Sequence, residues 1–435
     1  MTPNEKPSHQ FLATIRSGEK VFDKVLVKAF VPRRMTEPLA LVLIPSKELT
    51  WALTNLFEFS LTAEVRGFSG KIEGMFKAER IYSEGSTTTS WGRDLHETQI
   101  KAVPYDFATC DIREHPDIPK GEVSGRFWLT PCQLLSPQKL VERSYTGEVK
   151  VKTIKQLQFA LSNKLLLSFD FIYRHFDEHN EDRVSFSELV ANFKDTGLIG
   201  STNNIQAACL GALDDFLLIT SFAARHRCIC LGWEAFDSDG QVTFYRRGYT
   251  IPTPKPKAGI SDSLINNQYF EDFLKTVYDQ FIKTEPKEFI RQALHALTSE
   301  NSTIELKFIR LFSALETLVL KHRRDTNTEF IFPPLEWKDI EARLCEAVKA
   351  IPAFAKDKAK RRSAYENLSG LNRISFRTAY TDFCSHYQIK TDDLWPICGK
   401  REATPLTEMR NRLVHGEPFD HKQHQALSKA TQHLE

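Results

Sequence analysis

The hydrophobic pattern of this chain changes its period near residue 200, and that change constrains the fold more than any other feature. Before it, short segments alternate apolar and polar residues or run apolar for a few positions, as β-strands do. These segments predict an antiparallel β-rich domain over residues 1–200, folded as a sandwich or in a barrel-like form. Turns are expected at Glu84-Gly85 and His179-Asn180. The expected strands are Val21–Phe30, Leu39–Ile44, Phe57–Val65, Gly121–Leu129 and Leu165–Tyr173.

A different unit is expected to begin at Ser201–Asn204, four residues of the types that cap helix N-termini. An apolar helix is expected from Ile205 to Ala224, followed by a β-hairpin whose Asp-Gly step at Asp239-Gly240 suits a tight turn with positive φ. Residues 251–256 alternate proline with other residues, which predicts an extended linker. Residues 201–258 are therefore expected to form a connecting unit.

Apolar residues beyond residue 259 recur every three or four positions, which is typical of amphipathic helices. This spacing predicts an all-α bundle over residues 259–435, so the whole chain is expected to be an α+β protein. The expected helices are Tyr269–Lys283, Pro286–Thr298, Ile304–His322, Trp337–Ala350, Leu371–His386, Leu406–His415 and one from His421.

Composition excludes several classes of protein. With 41% hydrophobic and 26% charged residues, the chain has the balance of a globular protein. The longest uninterrupted apolar run, Leu39–Ile44, is far below the roughly 20 residues that span a bilayer, so no membrane segment is expected.

The eight cysteines lack paired CxxC spacing, and Cys228 and Cys230 are interpreted as buried strand thiols. We therefore expect no metal site or cofactor, and a reducing cytoplasmic location.

A short helix near the end of the chain is bounded by clear signals. Thr404-Pro405 predicts its start, with Thr404 as the cap, and Gly416 followed by Pro418 predicts its end. At 100° per residue, one face of this helix would be apolar and the other polar. The core-facing residues would be Leu406, Met409 and Leu413. The opposite side would carry Glu408, Asn411 and His415, flanked by Arg410 and Arg412.

The polar face of this helix displays an imidazole, an amide and two guanidinium groups. Cleavage of RNA without a metal ion requires a base of near-neutral pKa for the 2′-hydroxyl proton and a cation for the charge of the phosphorane. His415 is the candidate general base or acid, and Arg410 is the candidate group that stabilises the phosphate. Asn411 would hydrogen-bond the substrate or His415.

The segment Arg410–His415 resembles the signature of the HEPN ribonucleases: an arginine, a polar residue, three or more residues and a histidine. The segment Ile309–Leu318 resembles the helix that packs beside the motif in such families. A β-rich half followed by a helical bundle resembles the layout of ApeA-type abortive-infection proteins. The resemblance implies an endoribonuclease toxin of antiviral defence, which would cleave cellular or tRNA-like RNA. It also implies that the N-terminal domain restrains activity or senses a phage component.

The resemblance to the HEPN ribonucleases implies a dimer, which would resolve a geometric difficulty within the motif. Arg410 and His415 are five residues apart, so their directions differ by about 140° on an ideal helix and they cannot easily meet within one copy. Families that resemble this chain pair two bundles about a two-fold axis, so that both copies of the helix line one cleft. A homodimer is therefore expected to form the active site. Glu316, on the neighbouring helix, is a candidate to orient Arg410 or His415.

Positive charge in the helical half suggests contact with phosphate groups. We interpret five residues as candidate RNA-binding positions: Lys360, Arg361, Arg362, Arg373 and Arg377. The run Lys321–Arg324 is a second candidate cluster. A charge run of this kind is also typical of a solvated helix face, and that interpretation stays open.

Two alternatives to catalysis also remain open. His415 would simply end its helix, with Arg412 paired to Glu408, or the bundle would be a non-catalytic scaffold that binds RNA, a nucleotide or a partner protein. The spacing of the motif recurs at Arg174 to His179, which we interpret as a strand and turn. Nucleotidyl transfer is disfavoured because the sequence has no Gly-rich phosphate loop.

Overall fold

The structure is a computed structural model that divides the chain into two compact units, Met1–Tyr278 and Asp279–Glu435. An antiparallel β region comes first and a helical region second, which confirms the predicted α+β order. The described residues are 7–32, 34–37, 39–66, 70–90, 96–143, 149–162, 165–178, 182–195, 197–246, 263–298, 303–397 and 403–434.

Most strands of the first unit belong to one antiparallel sheet, in the order β10-β11-β12-β7-β13-β14-β6-β3-β2-β1-β4-β5. Because β5 also pairs with β6, the first six strands close into a barrel. Strands β8 and β9 form a separate two-stranded sheet. The strands are β1 (His9–Ser17), β2 (Lys20–Phe30), β3 (Ala40–Ile44), β4 (Glu58–Arg66), β5 (Ile72–Ser90), β6 (His96–Asp111), β7 (Val123–Leu129), β8 (Gln138–Arg143), β9 (Val149–Lys155), β10 (Gln158–Ser162), β11 (Leu165–Glu178), β12 (Asp182–Asp195), β13 (Cys230–Asp237) and β14 (Gly240–Arg246).

The barrel interior is filled by side chains that alternate inward along β1–β6. Phe11 packs on Phe76 with ring centroids 5.0 Å apart, and Phe76 stacks on Phe107 at 6.2 Å. Such inward alternation is what the period-two pattern predicts. The expected turn at Glu84-Gly85 is wrong, because β5 runs through it with a bulge that absorbs the register shift. The expected turn at His179-Asn180 lies outside the described residues.

The hairpin β13–β14 is part of the main sheet rather than of a separate connecting unit at residues 201–258. It fills the gap between β7 and β6, so the first compact unit extends well beyond residue 200. Its turn residues are Ser238 and Asp239, and Gly240 already pairs with Asp237 in the ladder. Glycine is required there because a Cβ atom would lie 2.2 Å from the carbonyl oxygen of Asp111. The expected linker at residues 251–256 lies outside the described residues.

One long apolar helix also packs in the first unit. It begins with a π-helical turn at Gln206–Leu210 and continues as α2 (Gly211–Ala224). A short helix, α1 (Thr50–Thr54), lies earlier in the chain. The helix Gln206–Ala224 is long and apolar enough to cross a membrane. This property was not expected from the sequence, because only uninterrupted apolar runs such as Leu39–Ile44 were considered. However, 67% of the helix is buried within the protein, as in the core helix of a globular domain.

The second unit is helical, and its central element is α5. One face of α5 buries Phe308 and Phe312 in a core shared with α10 and α11. Around it lie α4 and α9, which also contact α5. The helices are α3 (Phe270–Lys283), which begins in the first unit, α4 (Glu288–Thr298), α5 (Ile304–Asp325), α6 (Pro334–Ala350), α7 (Pro352–Ala355), α8 (Lys358–Leu368), α9 (Phe376–His386), α10 (Leu406–Val414) and α11 (His421–Leu434).

Candidate functional site

The helix α10 begins at Leu406, with Pro405 in the N-cap position. The expected cap by the Thr404 side chain is wrong. The backbone N–H groups of Leu406 and Thr407 instead donate to the carbonyl oxygens of Pro396 and Ile397, at 2.9 and 3.1 Å. The preceding segment therefore satisfies amides that have no partner inside the helix.

The end of α10 is the one that the sequence predicts. Gly416 has φ +70°, the left-handed conformation that glycine adopts at little cost. Its N–H donates to the carbonyl of Leu413 at 3.1 Å, and the N–H of Glu417 donates to that of Arg412 at 2.9 Å. These two bonds form a Schellman motif, which fixes His415 as the last residue before the chain turns.

The two faces of α10 are divided as expected. Leu406 and Met409 are buried and Leu413 is half-buried, all in the core that contains Phe308 and Phe312. The exposed residues of the helix and its C-cap are Glu408, Asn411, Val414 and His415. The polar side chains of the motif therefore face solvent and are not part of the core.

Arg410 is held between two oxygen acceptors. Its Nη2 lies 3.6 Å from Oε2 of Glu316 on α5, and its Nη1 donates to Oδ1 of Asn411 at 3.2 Å. The Arg410 and Glu316 side chains are 37% and 36% exposed, so the pair can still reach a ligand. The structure thus brings together three of the sequence-predicted residues and places Glu316 against Arg410 rather than His415.

The imidazole of His415 is exposed and makes no side-chain hydrogen bond or ion pair with any other described residue. It is not packed among apolar side chains. An imidazole in this position is accessible to a bound ligand.

The Arg412 side chain contacts the segment that follows α10. Its Nε lies 3.0 Å from Oε2 of Glu417, and its guanidinium lies 5.0 Å from the ring centroid of Phe419. The alternative in which Arg412 pairs with Glu408 is wrong, because the turn at Gly416 brings Glu417 and Phe419 back to it. Arg412 therefore stabilises the helix end, and Glu408 stays exposed at the first turn.

The five candidate RNA-binding residues fall into two groups. Lys360 and Arg362 on α8 pair with Asp357 and Glu366, at 3.6 and 2.9 Å. The others form no salt bridge or side-chain hydrogen bond within the described ranges: Arg361, Arg373 and Arg377. This second group leaves three guanidinium groups for an anionic partner.

The second basic cluster, Lys321–Arg324, is only partly accessible. Lys321 is buried and pairs with Asp325 at 2.8 Å, and His322 is buried with its Nε2 3.0 Å from Oδ2 of Asp382. Arg324 is exposed and lies over the ring of Phe289 at 4.8 Å. Two of the four side chains in this run are therefore inside the unit rather than on its surface.

The first unit contains a cleft of about 450 Å³ that sequence analysis did not indicate. Trp233 and Phe244 stack in its wall at 4.2 Å, and the indole N–H of Trp233 is buried without a hydrogen-bond partner. Two of its cations, Arg80 and Arg246, are ion-paired, so the cleft carries little free positive charge. The structure also gathers Cys132, His226 and Cys228, which the sequence does not connect.

No protein-family model, curated protein or solved structure matches this chain. The spacing of the motif also occurs from Arg174 to His179. His179 lies outside the described residues, so the surroundings of this second histidine cannot be compared with those of His415.

Proposed function

We propose that this protein is a metal-independent endoribonuclease whose active site is formed by α10, as in the HEPN ribonucleases that the motif resembles. The observation that carries the proposal is that α10 and its C-cap expose an imidazole, His415, and a partly exposed guanidinium, Arg410, which lies against Glu316 of α5. Residues on helices hold catalytic geometry more closely than residues on loops.

The chemistry follows from these groups. His415 would take the proton of a ribose 2′-hydroxyl, or give a proton to the leaving 5′-oxygen. Arg410 would stabilise the charge of the pentacoordinate phosphate, and Asn411 would hydrogen-bond the substrate. Attack by the adjacent 2′-hydroxyl leaves a 2′,3′-cyclic phosphate and a 5′-hydroxyl.

The active form in this proposal is a homodimer. Within one copy, the Arg410 guanidinium is drawn to Glu316 and Asn411, while His415 lies beyond the last turn of α10. Val414, next to His415, is 54% exposed, which gives the helix end an apolar position for a partner copy to cover. Two copies of α10 about a two-fold axis would then contribute Arg410 and His415 to one cleft.

The barrel unit would act as sensor or restraint, and the whole protein would be a cytoplasmic toxin of antiviral defence. Its cleft, with an unpartnered indole N–H in the wall, is the feature that supports a sensing role. A phage component would be the ligand that the resemblance implies.

The direct test uses the purified chain with tRNA and with unstructured RNA, in EDTA and without added divalent ion. We expect cleavage, with fragments that end in a 2′,3′-cyclic phosphate when their 3′ ends are identified by mass spectrometry. Cleavage that requires magnesium, or 3′-hydroxyl ends, would contradict the proposal.

Replacing Glu316 with glutamine tests how Arg410 is positioned. The pair is partly exposed, so the stability change should stay below about 1 kcal/mol. The loss of the ionic contact should lower kcat about tenfold with little change in KM, since Arg410 acts on the transition state. Glu305→Gln on the same helix, which breaks an equivalent pair with His424, is the matched control and should leave kcat unchanged. A raised KM with normal kcat would show that Glu316 acts on substrate binding instead.

The second candidate function is RNA binding without catalysis. Arg361, Arg373 and Arg377 favour it, because their guanidinium groups form no salt bridge with another described residue. On this alternative, replacing Arg373 and Arg377 by glutamate would weaken RNA binding in a salt-dependent way, while changes at His415 would have no effect.

A further inference from the structure

Three metal-ligating side chains meet within the first unit. The Sγ atoms of Cys132 and Cys228 and a ring nitrogen of His226 all lie within 4.8 Å of one another. Both cysteines are buried, with 2% and 3% of their surfaces exposed, while His226 is half-buried. Two fully buried thiols beside one imidazole at the surface give a cluster with a route of entry for an ion.

The fold brings these residues together from three elements. Cys132 follows β7, Cys228 precedes β13, and these strands are neighbours in the sheet. Beyond the strand ends the ladder continues, since Thr130 N–H donates to the carbonyl of Ile229 at 3.0 Å and the N–H of Ile229 donates to Oγ1 of Thr130 at 3.0 Å.

The third ligand comes from the end of α2. Arg225 adopts φ +55°, a left-handed conformation that costs a non-glycine residue on the order of 1 kcal/mol, and it turns the chain so that His226 follows. The N–H of Cys228 then donates to the buried Oγ of Ser221 at 2.8 Å, which fixes the loop against α2. These hydrogen bonds hold the two strand ends together and hold the loop that carries His226 and Cys228 against α2.

The geometry suits a tetrahedral ion. With Zn–S and Zn–N bonds of about 2.3 and 2.05 Å, a tetrahedral site separates sulfur from nitrogen by roughly 3.5 Å. The observed distance from Sγ of Cys228 to Nε2 of His226 is 3.7 Å. The other ring nitrogen, Nδ1, lies 3.0 Å from the carbonyl oxygen of Ala224. Metal-binding histidines commonly donate their second N–H to such a carbonyl, which leaves Nε2 for the ion.

The charge of such a site is balanced. A divalent ion bound by two thiolates and one neutral imidazole carries no net charge, so it can lie beside the two buried cysteines without an uncompensated charge.

We propose that Cys132, Cys228 and Nε2 of His226 bind a zinc ion. Both cysteines bind as thiolates and His226 binds through an unprotonated Nε2, and the protons that these groups carried pass to solvent. Among the described residues no fourth Cys, His, Asp or Glu atom joins the group. The carbonyl oxygen of Pro131, 3.2 Å from Nε2, or a water molecule completes the coordination. The ion ties α2, β7 and β13 together, and the proposal does not depend on the nuclease function.

The test measures metal in the full chain after expression with added zinc and gel filtration. We expect about one zinc ion per chain by inductively coupled plasma mass spectrometry. The zinc content should fall at least tenfold in Cys132→Ser and in Cys228→Ser. Cys209→Ser, which alters another buried thiol of the same unit, is the matched control and should retain zinc. If the ligand variants do not fold, the wild-type chain loaded with cobalt(II) serves instead, and thiolate-to-cobalt charge-transfer absorption is expected.

Two results would overturn the proposal. One is a wild-type chain that holds no zinc and gives no cobalt–thiolate absorption. The other is a chain lighter by two hydrogens in which Cys132 and Cys228 occur in one cross-linked peptide, which would make the pair a disulfide. Zinc content should also be measured in the EDTA-treated samples of the nuclease assay, so that a loss of cleavage is not confused with a loss of this ion.

Discussion

Replacing His415 with alanine is expected to lower the rate of RNA cleavage by about 10²- to 10⁴-fold, the usual contribution of a general acid or base. Folding should be unaffected, because the imidazole is exposed and makes no side-chain hydrogen bond or ion pair with another described residue. The measurement is the single-turnover cleavage rate, together with the thermal unfolding temperature of both proteins. An unchanged unfolding temperature would show that the loss is chemical.

The control for this variant is His421→Ala, which removes another exposed imidazole at the start of α11. It should cleave RNA at the wild-type rate. If His415→Ala retains full activity, the imidazole only ends its helix and the nuclease proposal fails. If neither the wild-type chain nor the variant cleaves RNA but both bind it, RNA binding by Arg361, Arg373 and Arg377 becomes the better description of the helical unit.

Co-expression of two inactive variants is expected to restore activity. A heterodimer of Arg410→Ala and His415→Ala chains has one site with neither group and one site with both, if each site takes the two residues from different copies. Random pairing makes half of the dimers mixed, and each has one of two sites intact, so about one quarter of wild-type activity should return. Each variant alone should stay near background.

This experiment needs different affinity tags on the two chains, so that mixed dimers can be purified and counted. Mixed dimers that remain inactive would place Arg410 and His415 of the same chain in one site, contrary to the composite arrangement. A chain that stays monomeric by light scattering, yet cleaves RNA, would also exclude the dimeric mechanism.

The candidate site was predictable where its determinants are local in sequence. The apolar spacing of Leu406 and Met409 fixes which face of α10 is buried, and Gly416 fixes where the helix ends. Hence the exposure of Asn411 and His415 follows from periodicity alone. The contact of Arg410 with Glu316 was foreseen only as one of two options, since the sequence does not give the rotation of α10 against α5.

The charge pattern of the sequence predicted exposure less reliably than the hydrophobic pattern did. The runs at residues 321–324 and 360–362 look alike in the sequence, yet Lys321 is buried while Lys360 is exposed. The difference arises because α5 lies in the middle of its unit and α8 does not. Whether a basic run faces solvent depends on which helix carries it, and that is a property of the packing.

The sequence by itself determined the order of a β unit and a helical unit and the amphipathic division of α10, because these depend on side-chain periods of two and 3.6 residues along the chain. Tertiary structure alone decided that the hairpin β13–β14 completes the first sheet and that Cys132 meets His226 and Cys228. Those contacts join positions about a hundred residues apart or more, where strand pairing sets the neighbours and no local sequence pattern predicts them.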